Sequence, residues 1–386
     1  MKIAYVTIYD ASDVHNWSGT GLFLSKSLIR QGADLVYIGS LKTQNNLYHR
    51  LKGKILKKLF GKNYLPDRQP GVAKNYARQI EARLAELKPD IVFSPGAAAL
   101  GYVKTKIPMV IYTDATFRPM VGYYEKFSNL WISSYKNAEK LEQNAINNAS
   151  LLFYSSDWAA QSAIELYHAN PEKVKVITFG TNIENTNDAD SVQKYISGRS
   201  TEKCTLLFMG VDWIRKGGAL SLKIAQRLHE QGFPVELHIV GIKNLPLETI
   251  PSFVNYHGFV SKATEEGRQK LDHLLKNSHF LILPTQADCT PMVFAESNSY
   301  GLPCITTETG GIPTLIKNDV NGKRFSLDAP VDEYADYIKT TFSNRSKYEQ
   351  LAQSSYREFA TRLNWDVTGK AMMKEFETLL KKETSS

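Results

Sequence analysis

The sequence of 386 residues contains little cysteine and no long apolar run. Its three cysteines, Cys204, Cys289 and Cys304, are odd in number and lack the spacing of metal ligands, which excludes a disulfide framework and a cysteine zinc site. No stretch reaches the ~18 consecutive apolar residues of a membrane-spanning helix, and the first residues lack the cleavage pattern of a secretory signal. We therefore expect a folded protein of the reducing cytoplasm.

The chain also lacks the signatures of two large enzyme classes. No serine lies in a Gly-x-Ser-x-Gly turn, which excludes a hydrolase of the nucleophile-elbow kind. His273 and His279 have no companion ligands at zinc spacing. We predict no catalytic triad, no catalytic metal and no cofactor.

The length of the chain bears on the number of domains, and its net charge bears on the kind of partner. The chain exceeds the ~250 to 300 residues at which a single core stops growing, so two packed domains are expected. Hydrophobic residues make up 42% and charged residues 22%, which is ordinary for a folded protein. The formal net charge of +8 indicates an anionic partner, which could be nucleic acid, anionic lipid or a phosphorylated substrate.

Short apolar runs alternate with longer segments of helical period, the pattern of parallel strands joined by crossover helices. The predicted fold class is therefore α/β, with two doubly wound domains. In the first half we predict strands at residues 3–7, 35–38, 91–94, 109–112, 151–154 and 174–177, with helices that begin near Thr20, Gly71, Ser134 and Ser156. In the second half we predict strands at residues 205–209, 236–240, 253–257, 280–283 and 304–306, and helices from about Val331.

The domain boundary is expected after Phe179, where the sequence becomes GTNIENTNDADSVQKYISGRSTEK. This segment is rich in polar residues and interrupts the alternation, so we interpret it as a linker. The predicted domains are residues 1–180 and 181–364, followed by a last helix, 365–386. In doubly wound sheets, ligands bind outside the carboxyl ends of the strands. The cleft between the two sets of strand ends is the expected site.

The first predicted strand leads into residues 17–21, WSGTG, and then into an apolar helix. Gly19 and Gly21 allow a backbone to approach a phosphate closely, and the helix N-terminus supplies N–H groups. The turn lacks the third glycine of the dinucleotide-binding fingerprint. It is either a phosphate site or only a tight connection.

A comparable turn follows the first strand of the second half, where residues 210–218 read GVDWIRKGG. The turn begins at Gly210, and Arg215 and Lys216 stand beside its glycine pair. Two cations in this position can hold an anionic diphosphate. The alternative is a solvated loop with an exposed basic pair.

The segment LILPTQADCTPMVFAESNSYGLPCITTETGGIPTLI carries the strongest local signal. A strand leads through a polar turn containing Asp288 to a helix that begins near Pro291 and contains Glu296. Carboxylates suit ribose and sugar hydroxyls, which they bind through charge-assisted hydrogen bonds. The start of the helix offers further backbone N–H groups, those of Thr290, Met292 and Val293. Alternatively, Asp288 only caps the helix and Glu296 lies on its surface.

Together these motifs resemble retaining glycosyltransferase family 4, the glycosyl transferases group 1. That family typically shows two acids separated by seven residues, and here Asp288 and Glu296 have this spacing, followed by Gly-Leu-Pro and Gly310-Gly311-Ile-Pro. The match spans about residues 206–322, and the Gly19 turn corresponds less specifically to the family's N-terminal glycine loop. The resemblance implies the GT-B fold, in which two Rossmann-like domains face a central cleft and the last helix returns to the first domain.

The resemblance also implies a role for each matching residue. Domain 1–180 would bind the acceptor and domain 181–364 the donor. Glu296 would bind the donor ribose, Asp288 the transferred sugar, and Arg215 and Lys216 the diphosphate. The remaining donor-binding residues implied in this way are Gly19, Gly21, Gly210, Thr290, Pro291, Met292, Val293, Gly310 and Gly311.

Three positions depart from the family pattern. The first acid is Asp288 where Glu is typical, which shortens the side chain by one methylene group. Val211 stands where an Arg often follows the glycine, so that cation would have to come from Arg215. Asp114 replaces the His commonly found near the sugar and is the catalytic candidate there, besides Asp288, Arg215 and Lys216. These departures affect the identity of the donor more than the class of reaction.

Asp188-Ala189-Asp190 has the shape of the metal-binding motif of another glycosyltransferase fold. Because it lies in the polar segment between the domains, we interpret it as a solvated turn. We predict no metal site there.

Residues 47–64 combine basic charge with an apolar stripe. Leu47, Leu51, Ile55 and Leu59 recur every four residues. The basic residues between and beside them are Arg50, Lys52, Lys54, Lys57, Lys58 and Lys62. Such a stripe flanked by lysines suits insertion into an anionic membrane surface. The alternative is an amphipathic helix packed on the sheet.

The expected function is transfer of a sugar from a nucleotide diphosphate donor to a saccharide or lipid-linked acceptor, in cell-envelope polysaccharide or glycolipid synthesis. UDP is the first candidate for the nucleotide and GDP the second. No nucleic-acid partner is expected, and the place of action is the cytoplasm or the inner face of the membrane. Two alternatives stay open: a nucleotide-sugar epimerase of the same fold, and a catalytically silent subunit that binds nucleotide sugars.

Overall fold

The computed structural model describes residues 1–13, 16–184 and 187–384. They form two compact units, one of residues 1–179 together with the segment from Trp365, the other of residues 180–364. Each unit is built on a six-stranded sheet whose paired strands are all parallel. The predicted α/β class is confirmed.

The first unit has the strand order β2-β1-β3-β4-β5-β6. Its strands are β1 Lys2–Val6, β2 Asp34–Ile38, β3 Ile91–Ser94, β4 Met109–Thr113, β5 Leu151–Tyr154 and β6 Val174–Val176. Its helices are α1 Thr20–Arg30, α2 Asn46–Phe60, α3 Pro70–Leu87, α4 Phe117–Met120, α5 Ile132–Asn148 and α6 Asp157–Tyr167. Strands β3, β4 and β5 are buried along their whole length, which explains their continuous apolar sequences.

The last helix, Trp365–Thr384, packs in the first unit. The Ser27 hydroxyl of α1 donates a hydrogen bond to the carbonyl oxygen of Trp365 at 2.5 Å. A Cβ atom on Gly369 would lie 2.3 Å from Ser27 Oγ, so glycine permits this close approach of two helices. Further along, the fully buried Phe376 ring lies 5.8 Å from the rings of Phe93 and Phe153.

The second unit has the strand order β12-β11-β10-β7-β8-β9. Its strands are β7 Cys204–Met209, β8 Val235–Val240, β9 Val254–Tyr256, β10 Phe280–Leu283, β11 Cys304–Thr307 and β12 Gly322–Phe325. Its helices are α7 Ala189–Gly198, α8 Gly218–Glu230, α9 Glu265–Asn277, α10 Met292–Asn298, α11 Ile312–Leu315, α12 Val331–Ser343 and α13 Arg345–Thr361. The sheet grows first to one side of β7 and then, from β10, to the other. The topological switch point therefore lies between β7 and β10.

The polar segment between the predicted domains is not the linker that the sequence suggests. It contains α7, whose Val192 and Ile196 lie one turn apart and are buried in the core of the second unit. Asp188 caps this helix, because its carboxylate accepts a hydrogen bond from the Ser191 N–H at 2.8 Å. The Asp188–Asp190 motif is therefore solvent-exposed, as its interpretation as a solvated turn implies, but it forms the start of a helix and not a turn.

A buried imidazole ties β10 to β7. His279 Nδ1 accepts a hydrogen bond from the Thr205 N–H at 2.9 Å, and its Nε2–H donates one to the Ser200 carbonyl oxygen at 2.8 Å. Burial lowers the pKa of His279 to about 4, so the ring is neutral at pH 7. This histidine has a structural role in holding the two central strands in register.

Candidate functional site

The loops that follow β7 and β10 lie side by side at the switch point of the second sheet. The Gln286 N–H donates a hydrogen bond to the Arg215 carbonyl oxygen at 2.8 Å. Gly217 has φ 76°, and a Cβ atom there would lie 2.0 Å from the Pro284 carbonyl oxygen. Only glycine allows the two loops to approach this closely. The sequence places Arg215 and Lys216 on one loop and Asp288 on the other, so their side chains can meet.

Asp288 contacts both cations. Lys216 Nζ lies 2.6 Å from Asp288 Oδ2, and Arg215 Nη1 lies 3.4 Å from Oδ1. The Thr285 hydroxyl donates a further hydrogen bond to Oδ2 at 3.1 Å. The side chains of Lys216 and Asp288 are 12% and 9% exposed, so the alternative of an exposed basic pair on a solvated loop was wrong. The carboxylate fixes the positions of two cations at the carboxyl edge of the sheet.

Arg215 bridges the two loops. Its Nη1 donates a hydrogen bond to the Ala287 carbonyl oxygen at 2.8 Å, and its Nε donates one to Asp212 Oδ2 at 3.3 Å. Asp288 itself does not cap the helix that follows, because Pro291 is the N-cap residue of α10. The Gly311 N–H donates a hydrogen bond to the Asp288 carbonyl oxygen at 3.3 Å, which brings the Gly310-Gly311 turn beside the same loop.

Glu296 lies inside the protein, not on the helix surface. Its side chain is 1% exposed, and Lys262 Nζ lies 2.5 Å from its Oε1. Its Oε2 is buried and has no hydrogen-bond partner among the described residues. A buried carboxylate is costly unless a cation or hydrogen-bond donors accompany it. Lys262 supplies the cation from the loop that follows β9.

Three glycines, Gly210, Gly241 and Gly258, lie in the loops at the carboxyl edge of the second sheet. The Gly210 N–H donates a hydrogen bond to the Val240 carbonyl oxygen at 3.0 Å, and the Gly241 N–H donates one to the Gly258 carbonyl oxygen at 2.8 Å. A Cβ atom on Gly241 would lie 2.4 Å from the Gly210 carbonyl oxygen. The loops after β7, β8 and β9 therefore meet through glycine, which lets a ligand approach peptide groups directly.

The predicted backbone donors lie at the start of α10. Met292 and Val293 are its first two residues, Thr290 is buried, and Pro291 precedes the helix without a side-chain cap. Their backbone positions are therefore those that the sequence predicts, next to Asp288. The structure brings this set together with Arg215, Lys216, Gly210, Gly310 and Gly311 in one unit.

Gly19 and Gly21 lie in the first unit, at the start of α1. Gly19 is the N-cap residue with φ 81°, and the preceding Trp17 and Ser18 have φ 47° and 55°. Left-handed backbone at two non-glycine residues costs about 1 to 3 kcal/mol each and is frequent at functional sites. The Tyr5 hydroxyl donates a hydrogen bond to the Gly21 carbonyl oxygen at 2.7 Å, which fixes the turn.

Asp114 also lies in the first unit, directly after β4. It is partly exposed at the carboxyl end of the strand, the edge at which ligands bind in such sheets. The neighbouring Tyr112 is buried, and burial, with a smaller contribution from the charge of Asp114, raises the pKa of its hydroxyl well above the ordinary value.

Helix α2 contains most of the basic segment, and its apolar stripe faces water. Leu56 is buried, whereas Leu47 and Leu59 are 81% and 67% exposed, and Leu51 and Ile55 are also exposed. The alternative of a helix packed on the sheet through this stripe was therefore wrong.

The C-terminal end of the basic segment 47–64 is anchored to the rest of the first unit. The Asn63 side-chain amide donates hydrogen bonds to the carbonyl oxygens of Glu125 and Ser128, both at 2.8 Å. The ring of Phe60 lies 5.6 Å from that of Trp131. The helix is thus fixed to the protein at its C-terminal end while its apolar stripe remains exposed.

Residues 1–13, 16–184 and 187–384 contain no candidate metal cluster and no candidate membrane span. No group of three or more His, Cys, Asp or Glu side chains in this part of the chain is placed to hold a metal ion. None of its helices is long and apolar enough to cross a bilayer. The three cysteines are buried thiols.

The structure places two further residues at the site that the sequence does not predict, Thr285 and Lys262. Thr285 lies within the strongest motif, as a polar residue immediately after a buried strand, and this position could have indicated it. Lys262 lies 34 residues before Glu296 in a loop without a recognisable motif. No signal in a single sequence connects it with the site.

Two glycosyltransferase family models match the chain. The model described as Glycosyl transferases group 1 matches residues 191–358, and the one described as Glycosyltransferase Family 4 matches residues 22–185. The two matches fall in the two structural units and together span most of the chain. The protein belongs to this family of GT-B glycosyltransferases.

Known proteins of similar fold and sequence agree with this assignment. Sucrose-phosphate synthase from Thermosynechococcus elongatus has a TM-score of 0.68 and 14% identity, with 99% of this chain and 100% of that chain covered. HepE from Anabaena, in complex with UDP and glucose, has a TM-score of 0.62 and 15% identity, with 98% and 100% covered. At sequence identities this low, the structural similarity shows only the fold. That fold is GT-B, as the family resemblance of the sequence motifs implies.

Among curated relatives, D-inositol 3-phosphate glycosyltransferase of Mycolicibacterium paratuberculosis is 19% identical over 248 residues, which cover 63% of this chain and 56% of that protein. The Mycobacterium marinum protein of the same name is 21% identical over 240 residues, covering 61% and 51%. The chain thus spans about half the length of the curated relatives it matches.

Proposed function

We propose that this protein transfers a sugar from a nucleotide diphosphate donor, with retention of configuration, to a saccharide or lipid-linked acceptor. UDP-sugar is the first candidate for the donor and GDP-sugar the second. The observation that carries this proposal is the convergence of Lys216 and Arg215 on Asp288 at the switch point of the second unit. Cations fixed at the carboxyl edge of a doubly wound sheet suit a bound diphosphate.

In the proposed reaction, the bond between the sugar C1 and the diphosphate oxygen breaks and a bond from C1 to the acceptor oxygen forms on the same face. The acceptor proton passes to an oxygen of the leaving phosphate, and the nucleotide diphosphate is released. Negative charge grows on the diphosphate as its bond breaks, so Lys216 and Arg215 stabilise the transition state more than the ground state. Asp288, which contacts both cations, holds them in place and can reach a sugar hydroxyl.

Glu296 is assigned to the ribose. Its buried Oε2 lacks a donor among the described residues, and a ribose hydroxyl would provide one. Helix α10 also carries Met292 and Val293, so the residues proposed for the sugar, the diphosphate and the ribose belong to two neighbouring loops and one short helix. Of the first unit, we assign Asp114 to catalysis near the transferred sugar, and Gly19 and Gly21 to donor binding.

A thermal-shift screen with UDP, GDP, ADP and their sugars tests the donor. A ligand at 100 times its dissociation constant stabilises the folded protein by about 2.7 kcal/mol, a shift that is easily measured. We expect UDP and a UDP-sugar to stabilise most. The nucleotide released from the best donor is then measured with and without extracted saccharide and lipid acceptors. Nucleotide release that requires an acceptor supports the proposal. Conversion of the donor sugar without an acceptor would identify an epimerase. Tight donor binding without turnover would identify a catalytically silent subunit.

We also propose that α2 docks on an anionic membrane, which would place the first unit, the proposed acceptor domain, at the inner face of the membrane. The exposed stripe of Leu47, Leu51, Ile55 and Leu59 can enter the headgroup region, and each flanking lysine contributes about 1 kcal/mol beside anionic lipid. The hydrogen bonds of Asn63 fix the C-terminal end of the segment to the first unit, while the stripe stays exposed.

Sedimentation with vesicles tests this docking. Wild-type protein should bind vesicles that contain anionic phosphatidylglycerol and not vesicles of phosphatidylcholine alone. The double variant Lys54→Glu/Lys58→Glu should lose binding, while the control Lys370→Glu/Lys374→Glu on the last helix makes the same change of charge and should retain it. Lys57 is left unchanged because its Nζ donates a hydrogen bond to Asn63 Oδ1 at 3.0 Å. Absence of binding by the wild-type protein would contradict the docking.

A further inference from the structure

Lys262 crosses from the loop after β9 to the carboxylate of Glu296 on α10. The two residues are 34 positions apart, and Nζ lies 2.5 Å from Oε1. The Glu296 side chain is 1% exposed and that of Lys262 41%, so the ammonium group lies between the buried acid and the surface. This contact belongs to no motif that the sequence shows.

The backbone around Lys262 is held in place on both sides. A Cβ atom on Gly267 would lie 1.9 Å from the Ser261 carbonyl oxygen, so the first turn of α9 packs directly against the residue before Lys262. Arg268 Nη1 donates hydrogen bonds to the carbonyl oxygens of Lys262 at 3.3 Å and of Ala263 at 3.1 Å. The side chain of Lys262 therefore extends from a fixed backbone.

The two carboxylate oxygens of Glu296 differ in their hydrogen bonding. Oε1 accepts from Lys262, whereas Oε2 is buried without a hydrogen-bond partner among the described residues. Buried polar atoms of native proteins nearly always have a partner, so an unsatisfied one needs a physical explanation. A hydroxyl group of a ligand can provide that partner, provided that the Glu296 side chain is held in one orientation.

We propose that Lys262 is a positioning residue for the nucleoside part of the donor. By holding Oε1, it fixes the carboxylate of Glu296 in one orientation and directs Oε2 toward the ribose hydroxyls. Lys262 acts through Glu296 and need not contact the donor. This inference rests on the proposed assignment of Glu296 to the ribose, and it adds that ribose recognition depends on the loop after β9.

Calorimetric titration with UDP and 2′,3′-dideoxy-UDP, which lacks both ribose hydroxyls, tests the inference. Wild-type protein should prefer UDP. Lys262→Met should weaken UDP binding about tenfold or more, which corresponds to about 1.4 kcal/mol, and should leave dideoxy-UDP binding nearly unchanged. Lys262→Arg should restore most of the preference because it keeps a cation. Lys270→Met, the same change on the exposed face of α9, should behave as wild type.

A structural role alone would lower the affinity for both ligands equally, and that result would overturn the inference. Tighter UDP binding by Lys262→Met would overturn it too, since Lys262 would then compete with the ribose for Glu296. The melting temperature of each variant is measured without ligand, and Lys262→Arg provides the folded reference if Lys262→Met is unstable.

Glu296→Ala separates this inference from the proposed function. If Glu296→Ala abolishes the preference for UDP but Lys262→Met does not, only the role of Lys262 is wrong. If Glu296→Ala retains the preference, the assignment of Glu296 to the ribose is wrong as well. The double variant should bind UDP no more weakly than Glu296→Ala, because both changes remove one interaction.

Discussion

Replacement of Lys216 by methionine removes a charge from the candidate diphosphate site and nearly preserves the volume of the side chain. The lysine is 12% exposed and lies 2.6 Å from Asp288, so its ammonium group is fixed before a donor arrives. Removing one preorganised electrostatic contact typically lowers kcat by about 10² to 10³. We expect a fall of at least about 100-fold in kcat, with a smaller rise in KM for the donor, because the cation acts mainly on charge that develops in the transition state.

The fold should tolerate this change. Asp288 keeps the Thr285 hydroxyl at 3.1 Å and Arg215 at 3.4 Å, so its carboxylate is not left without partners. We expect a loss of unfolding free energy of about 1.5 to 3 kcal/mol, the range for a hydrogen bond between charged groups. Lys223→Met, on the exposed face of α8, is the matched control and should leave both kcat and stability unchanged.

Binding measurements identify the group that Lys216 contacts. Because uridine lacks the diphosphate, Lys216→Met should weaken binding of UDP and leave that of uridine unchanged. Arg215→Met should show a comparable loss, since Val211 offers no charge in its place, although Arg215 also bridges two loops. Turnover and UDP affinity equal to wild type in both variants would show that this loop is not the diphosphate site.

Three other changes test separate parts of the structure. Glu296→Ala should weaken UDP and uridine alike in calorimetric titration, because both contain the ribose, and unchanged affinities would contradict that assignment. Gly217→Ala should lower the free energy of unfolding, measured in urea, by about 1 to 3 kcal/mol, because the new Cβ would lie 2.0 Å from the Pro284 carbonyl oxygen. An unaltered midpoint of urea unfolding would mean that the two loops can separate. Burial lowers the pKa of His279 from 6.5 to about 4. Between these two pH values the imidazole is protonated in the unfolded chain and neutral in the folded protein, so the folded protein loses stability as the pH falls from about 6.5 to about 4. Melting temperatures over this range should fall less for His279→Gln than for wild type, and parallel curves would contradict the role of His279.

Periodicity predicts the central part of the fold well because buried parallel strands require continuous apolar sequences. Ile91–Ser94, Leu151–Tyr154 and Phe280–Leu283 have the bounds that the sequence predicts. Strand β12 has only four residues, GKRF, two of them charged, so no apolar run indicates it. Helix α7 was missed because its two buried residues are surrounded by polar ones.

The candidate site is predictable where a motif carries its chemistry and not where tertiary contacts do. The spacing of Asp288 and Glu296 and the Arg215-Lys216 pair are visible in the sequence. That Asp288 contacts both cations depends on the order of strands in the sheet, which places β10 next to β7. The contact between Lys262 and Glu296 likewise depends on packing between loops distant in sequence.

The return of the last helix to the first unit has a consequence for synthesis on the ribosome. The second unit is a continuous stretch of chain and can fold as soon as its residues have emerged. The first unit emerges earlier yet remains incomplete, because Phe93 and Phe153 receive the Phe376 ring only after the whole second unit has been synthesised. Until then the nascent chain exposes the apolar surface that Phe376 later covers, and such surface favours aggregation. Loss of the helix Trp365–Thr384 would therefore damage the unit whose other residues are synthesised before the second unit.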